Sequence, residues 1–248
     1  MKHLQSEHSI IAFSTERGLV HKDAPYEGFN ITWYTDDEAQ HITQCRKQLC
    51  DELQIDDRHL ILPRQVHDTQ IAEVTTDNLD SRFEGIDALI TTLPRTCIGV
   101  STADCVPILI YDPHTKAIAA AHAGWRGTVG RIGSKTVKAM CIRYGSKPQD
   151  LRVTIGPSIG PEAFEVGDEV YEAFLETGFD MTRVAFKPAN KWHIDLWQAN
   201  ALDLQAAGVD PAHIETAAVC TYQHYDRYFS ARRLGIKSGR IYTGIMIK

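Results

Sequence analysis

Between Leu60 and Ala123 the chain passes through six short apolar segments in quick succession: LILPRQVH, QIAEV, IDALITT, CIGVSTA, VPILIYD and AIAAAHA. Each is bounded by turn-forming residues and is too short for a helix, so all six read as strands. Helical patterns flank this block. Ile42, Leu49 and Leu53, with Cys45 beside them, form a stripe that predicts a helix over residues 37–53. GRIGSKTVKAMCIRYG, GDEVYEAFLETG and IDLWQANALDLQAAG predict three more. A strand is expected near Ile10–Ser14, then an irregular polar stretch through Tyr26. LRVTIGPSIG reads as a strand and loop, and HIETAAVC and GRIYTGIMIK as two late strands. Strands that follow one another without regular βαβ alternation point to an α+β fold, a single domain over residues 1–248 of mixed β-sheets with helices packed on the outside.

Composition removes several classes of function. A chain of 248 residues buries on the order of 70 to 75% of its unfolded surface and needs no disulfide staples. Its 26 basic and 32 acidic residues are mixed along the sequence, with a net charge of -6. There is no basic stripe to track a phosphodiester backbone, so no nucleic acid partner is expected. No apolar run approaches the ~20 residues of a membrane helix, and the N-terminus lacks the apolar core of a secretory signal. Six cysteines without a dense framework fit a reducing compartment. A cytoplasmic protein without a membrane partner is expected.

Three segments each deliver one borderline or soft metal ligand: His67, Cys105 and His122, 38 and 17 positions apart. A catalytic zinc takes three protein ligands and keeps a fourth position for water, whereas structural zinc shows paired close spacings that are absent here. Taken singly, each residue also has a plain explanation, a histidine capping a strand edge or a cysteine acting as a small buried hydrophobe. Strand alternation would place Gln65 on the same face as His67, where it can orient the imidazole or a ligand. Asp104, beside Cys105, is a candidate partner for a metal ligand or a candidate proton carrier. His122 ends a run of small side chains, and Gly124, Trp125, Arg126 and Gly127 then turn into a helix. Its free N–H groups, with Arg126 and Arg131 close by, offer an anion seat. Near the C-terminus CTYQHYDRYFSARR places Arg232 and Arg233 after several aromatics. The tyrosines and Phe229 either stack on a ligand ring or belong to the core, with the arginines on a solvated edge. GPSIGP reads as a rigid turn near the same mouth.

FSTERG, QVH, EGIDALIT, STADCVP, AHAGWRG, GPSIGP followed by FEVG, and FSARR occur in an order that resembles the YfiH family over nearly the whole chain. That family is also called the laccase-domain or multicopper polyphenol oxidase family. The resemblance implies that His67, Cys105 and His122 hold a metal, zinc or sometimes copper. It implies phosphorolysis of adenosine, inosine, guanosine and methylthioadenosine, and deamination of adenosine. The expected catalytic set is therefore Cys105, His67, His122 and Asp104, with Gln65, Arg126 and Arg232 contacting substrate. The partners would be a nucleoside and phosphate, and the protein a monomer or homodimer.

Some bacterial members are instead described as editing factors. This gives the alternative of a metal- or cysteine-dependent hydrolase that removes wrongly incorporated amino acids from a UDP-MurNAc peptidoglycan precursor. In its thiol form Cys105 is the nucleophile and His122 or His67 its base. Laccase chemistry is disfavoured, because the chain has 11 histidines and no His-x-His pair. The sequence departs from the family's usual pattern at Glu16, Leu19, His21, Asp68 and Glu162 to Phe164. The N-terminal departures are where substrate preference is expected to differ.

Overall fold

The computed structural model describes residues 2–5, 9–18 and 24–248. Most of the apolar segments around the sequence's middle pair into two large mixed sheets. One has five strands in the order Lys2–Gln5, Ile10–Ser14, Ile241–Ile247, Cys97–Thr102 and Leu60–Ile61. The other has six, in the order Ile214–Thr216, Arg152–Ile155, Val106–Tyr111, Ile118–Ala123, Ala88–Thr91 and Ile71–Glu73. Parallel pairs lie at the margins, Leu60–Ile61 against Cys97–Thr102, Ile71–Glu73 against Ala88–Thr91 and Ile214–Thr216 against Arg152–Ile155. The other pairs of the two large sheets are antiparallel. A small third sheet joins Glu165–Val166, Trp192–Ile194 and Ala185–Phe186.

The central strands read as continuous apolar runs because both of their faces are buried. Ile10, Ala12, Ile98, Val100 and Ile245 of the first sheet pack against Leu89, Leu109, Ile118 and Ala120 of the second. On the far side of the second sheet, Ile90, Ile108, Ile110, Ala119 and Ala121 meet Val137, Met140 and Leu204 from the helices Ile132–Tyr144 and Leu196–Ala206. On the far side of the first, Phe13, Cys97 and Tyr242 meet Cys45, Leu49 and Leu53 of the helix Ala39–Leu53. The result is an α+β stack of helix, sheet, sheet and helix, as expected of mixed sheets with helices outside. None of the described helices is long and apolar enough to cross a membrane.

Two expectations change. The first helix begins at Ala39, not 37, because the Asp37 carboxylate accepts from Asn30 Nδ2 and the Glu38 amide in the preceding loop. The segment up to His67 is a strand only over Leu60–Ile61. Beyond it Pro63 lacks an N–H for a ladder, and the chain loops instead, with a single bridge between Arg64 and Glu84.

Candidate metal centre and active site

His122 lies near the end of the strand Ile118–Ala123, and alternation turns its side chain to the same side as Ile118 and Ala120, between the two sheets. Cys105 sits in the break between the strands Cys97–Thr102 and Val106–Tyr111. His67 comes from the loop that replaces the expected strand. The ligand atoms of His67, Cys105 and His122 lie within 4.8 Å of one another. Cys105 Sγ is 3.8 Å from His67 Nε2, and the two imidazoles meet edge to face with centroids 4.7 Å apart. Exposure grades across the group, from exposed His67 through Cys105 to buried His122.

One carboxylate that the sequence reading passed over touches two of the three segments. Asp87, fully buried, accepts from His122 Nδ1 at 2.8 Å and from the amides of Val66, His67 and Asp68 at 3.1, 3.0 and 3.0 Å. His67 holds a left-handed φ of 63°, and three consecutive amides converge there on one anion, the geometry of a backbone nest. Burial alone would raise the Asp87 carboxyl, but the His122 ring and the loop amides reverse this and hold it below the ordinary carboxylate value. An ionised carboxylate can only accept, so His122 Nδ1 carries the proton and Nε2 is left for an ion. The one hint in sequence is that Asp87 is an acid placed immediately before the apolar strand Ala88–Thr91.

The thiol and the imidazole charge each other. Burial opposes ionisation of Cys105, yet His122 and His67 bring its pKa down to about 6. Burial likewise opposes the imidazolium of His122, yet Cys105 and Asp87 raise it to about 9. Space beside them is tight: a Cβ on Gly124 would lie 3.0 Å from Cys105 Sγ and 3.0 Å from His67 Cδ2.

The triad opens into a cavity of about 470 Å³ whose walls include Tyr34, Gln65, Ser101, Asp104, Ile159, Phe164, Arg232, Ile236 and Arg240. Gln65 faces this space, but its amide is engaged with Ser101: Nε2 donates to the Ser101 carbonyl and Oε1 accepts from the Ser101 amide, both at 2.8 Å. Tyr34 and Ser101 share a hydroxyl contact of 2.6 Å, and burial raises the Tyr34 pKa, so the phenol stays neutral. Asp104 lines the cavity, yet one of its oxygens accepts from the Thr221 hydroxyl and the other from the Arg232 amide, each at 2.7 Å. That arrangement ties down the helix Ala231–Leu234 and leaves Asp104 poorly placed to carry protons.

The cationic residues sort differently from expectation. Arg126 is exposed and stacks on Trp125, and it is not among the residues lining the cavity. Arg131 packs on Phe179, donates to the Thr177 carbonyl and pairs with Asp203, so it belongs to the helical layer. The turn they flank starts only a short helix, Trp125–Val129. Arg232 does reach the cavity, over Phe164, with its guanidinium donating to the Glu165 carbonyl at 3.1 Å. Arg240 joins it, a cation missed in the sequence because it lies in a segment read only as a late strand, remote from any candidate ligand. Its guanidinium is set by the carbonyls of Ser238, Gly239 and Ile236. Of the C-terminal aromatics, Phe229 and Tyr228 are fully buried in a core cluster with Ala103 and Ile241, and Tyr222 and Tyr225 carry Arg233. The core reading holds for Phe229 and Tyr228, Tyr222 and Tyr225 are half-buried, and the aromatic rings lining the cavity beside the two histidines are Tyr34 and Phe164. Glu16 accepts from Arg227 and from Tyr228. The departures at Leu19 and His21 lie outside the described residues.

Comparison with known proteins agrees over nearly the whole length. The family model described as multi-copper polyphenol oxidoreductase laccase matches residues 10–248. The chain is 44% identical to a protein of Bacteroides thetaiotaomicron named purine nucleoside phosphorylase, covering 98% of this chain and 94% of that one. It is 42% identical to adenosine deaminase RL5 of an unknown prokaryotic organism, over 98% and 96%. Among solved structures, the hypothetical protein YfiH of Bacillus licheniformis superposes with a TM-score of 0.89 at 29% identity, over 96% and 93% of the two chains.

Proposed function

The chain belongs to the multi-copper polyphenol oxidoreductase laccase family, and from that membership we propose a cytoplasmic zinc-dependent purine nucleoside phosphorylase that also deaminates adenosine. Its relatives named for these two activities align with it almost end to end. The observation that carries the reading is the donor set: two imidazoles and a thiolate within 4.8 Å of one another, lining a cavity of about 470 Å³. That volume lies in the range of small-molecule sites, on the order of 300 to 1,000 Å³. Three borderline ligands suit zinc and leave a position open. Copper also binds such a set. A divalent ion held there supplies Lewis acidity, which brings the ionisation of water toward neutral pH.

The chain's own residues do the rest. Phe164 and Tyr34 offer ring surface to a purine, and the Tyr34–Ser101 hydroxyl pair offers neutral donors and acceptors to its edge or to a ribose. Arg232, with Arg240 beside the same space, supplies positive charge for phosphate. Gln65 fixes Ser101 in place, and Asp104 fixes the backbone that carries Arg232. Adenosine, inosine, guanosine and methylthioadenosine are the proposed substrates, and a monomer or homodimer the working form. Among the described residues His67, Cys105 and His122 form the one group of three such donors, which is too few for a multinuclear copper oxidase.

A second reading rests on the ionised pair. Cys105 at about 6 and His122 at about 9 make a thiolate and an imidazolium, the resting form of a cysteine nucleophile and its base. It supports a cysteine-dependent hydrolase, for which the proposed substrate is a UDP-MurNAc peptidoglycan precursor carrying a wrongly incorporated amino acid. One experiment separates the two. Metal-analysed protein is incubated with adenosine, with and without phosphate, and with a muramyl-peptide precursor, and the products are resolved by chromatography. Adenine and ribose 1-phosphate formed only with phosphate, and inosine formed without it, are expected. Release of an amino acid from the precursor by metal-free protein, with no product from adenosine, overturns the first reading in favour of the second.

A further inference from the structure

Four N–H groups converge on Asp87, and they come from both histidine ligand segments. Three are backbone amides of the loop that presents His67, and the fourth is Nδ1 of His122. Each carboxylate oxygen takes two: Oδ1 accepts from the His67 amide and the His122 ring, Oδ2 from the Val66 and Asp68 amides. The backbone adds two further ties. The Asp87 carbonyl accepts the His122 amide at 2.8 Å, and the Asp87 amide donates to the Gln70 carbonyl at 2.9 Å. His67 itself is exposed, lies outside regular structure and holds a left-handed φ. Its backbone is held by the amide hydrogen bonds of this loop to Asp87, and its ring meets Cys105 Sγ at 3.8 Å and the His122 ring edge to face.

We infer that Asp87 is the positioning residue of the metal centre, a single buried carboxylate that sets both the ring tautomer of His122 and the place of the His67 loop. The inference rests on the metal reading above and deepens it. Asp87 touches neither ion nor substrate, and it acts only through the two histidines. An Asn in its place has the same shape, but its carboxamide nitrogen cannot accept, so two of the four N–H groups lose their partner on one oxygen.

The test is ion affinity, measured by competition with a chromophoric zinc chelator, on the unmodified protein and on Asp87→Asn. Outer groups of this kind change metal affinity by about 10 to 100-fold, so a loss of that size is expected, with the far-ultraviolet circular dichroism unchanged. Nitrogen-15 spectra of zinc-loaded unmodified protein provide a second reading that needs no variant. They should show His122 protonated at Nδ1 and bound through Nε2. If Asp87→Asn does not fold, this spectrum decides alone. Zinc affinity equal to the unmodified protein in folded Asp87→Asn overturns the inference, as does His122 bound through Nδ1. In either case the proposed activity still stands. Unmodified protein that takes up no ion at all overturns both together.

Discussion

Replacing Gly124 with alanine adds one methyl carbon 3.0 Å from Cys105 Sγ and 3.0 Å from His67 Cδ2. Ordinary non-bonded contacts of carbon lie at about 3.5 to 4.0 Å, so each of the two ligand residues must give way by roughly a few tenths of an ångström. The backbone raises no objection, since Gly124 has φ of -63° and ψ of 172°, a conformation open to any residue. Cys105 lies between two strands of buried residues, so the looser His67 loop takes most of the displacement. Metal to ligand distances tolerate about 0.2 Å. A shift of twice that strains or removes one of three ligands, and zinc affinity should fall about 10 to 100-fold, equivalent to ~1.4 to 2.7 kcal/mol. Folding of the metal-free protein should weaken less: overpacking costs about 1 to 3 kcal/mol, and the smaller entropy of an unfolded chain with alanine offsets about 0.4 to 1 kcal/mol. The assay pairs chelator competition for zinc with urea unfolding in excess chelator. A Gly124→Ala protein that binds zinc as tightly as the parent would show that the donors do not converge on an ion at this spot.

Binding should also depend on pH with a definite sign. From about pH 6 to about 9 the metal-free protein holds Cys105 as thiolate and His122 as imidazolium. Binding then expels one proton, and zinc affinity should fall about tenfold for each unit the pH is lowered. Below about 6 the thiol is protonated as well and the slope should steepen toward ~100-fold per unit. Zinc affinity measured in buffers from pH 5 to 9 checks this, and a flat profile from about 6 to 9 contradicts the ion pair. Alkylation of Cys105 by iodoacetamide in metal-free protein should rise with pH through a midpoint near 6, followed by mass spectrometry of the modified peptide; a midpoint near the ordinary thiol value contradicts it. Arg232→Gln should raise the KM for phosphate in phosphorolysis by about tenfold through loss of a charge-assisted contact, while Arg126→Gln, outside the cavity, leaves it unchanged. Steady-state rates at varied phosphate decide between them.

Much of the architecture follows from local pattern. The stripe at Ile42, Cys45, Leu49 and Leu53 is the buried face of the first helix. The short apolar runs beginning at Ala88, Cys97, Val106 and Ile118 are strands, because their length and composition suit nothing else. His67, Cys105 and His122 are visible because their donor chemistry is a property of the residue, and the words around them are distinctive. What those runs pair with is another matter. Cys97–Thr102 and Val106–Tyr111 are neighbours in sequence but join different sheets, and only that separation leaves Cys105 at the opening between them.

Sequence by itself therefore determined which side chains are able to hold an ion and which segments form strands and helices, since both depend on residue type and short-range spacing. The tertiary structure alone decided that those donors meet, that Pro63 to His67 loop around Asp87, that Asp104 is tied to Thr221 and Arg232, and that Arg240, not Arg126, faces the cavity. The physical reason is range. A hydrogen bond from His122 to Asp87 spans 35 positions and one from Thr221 to Asp104 spans 117, and such contacts exist only once strands from distant parts of the chain have been placed in order.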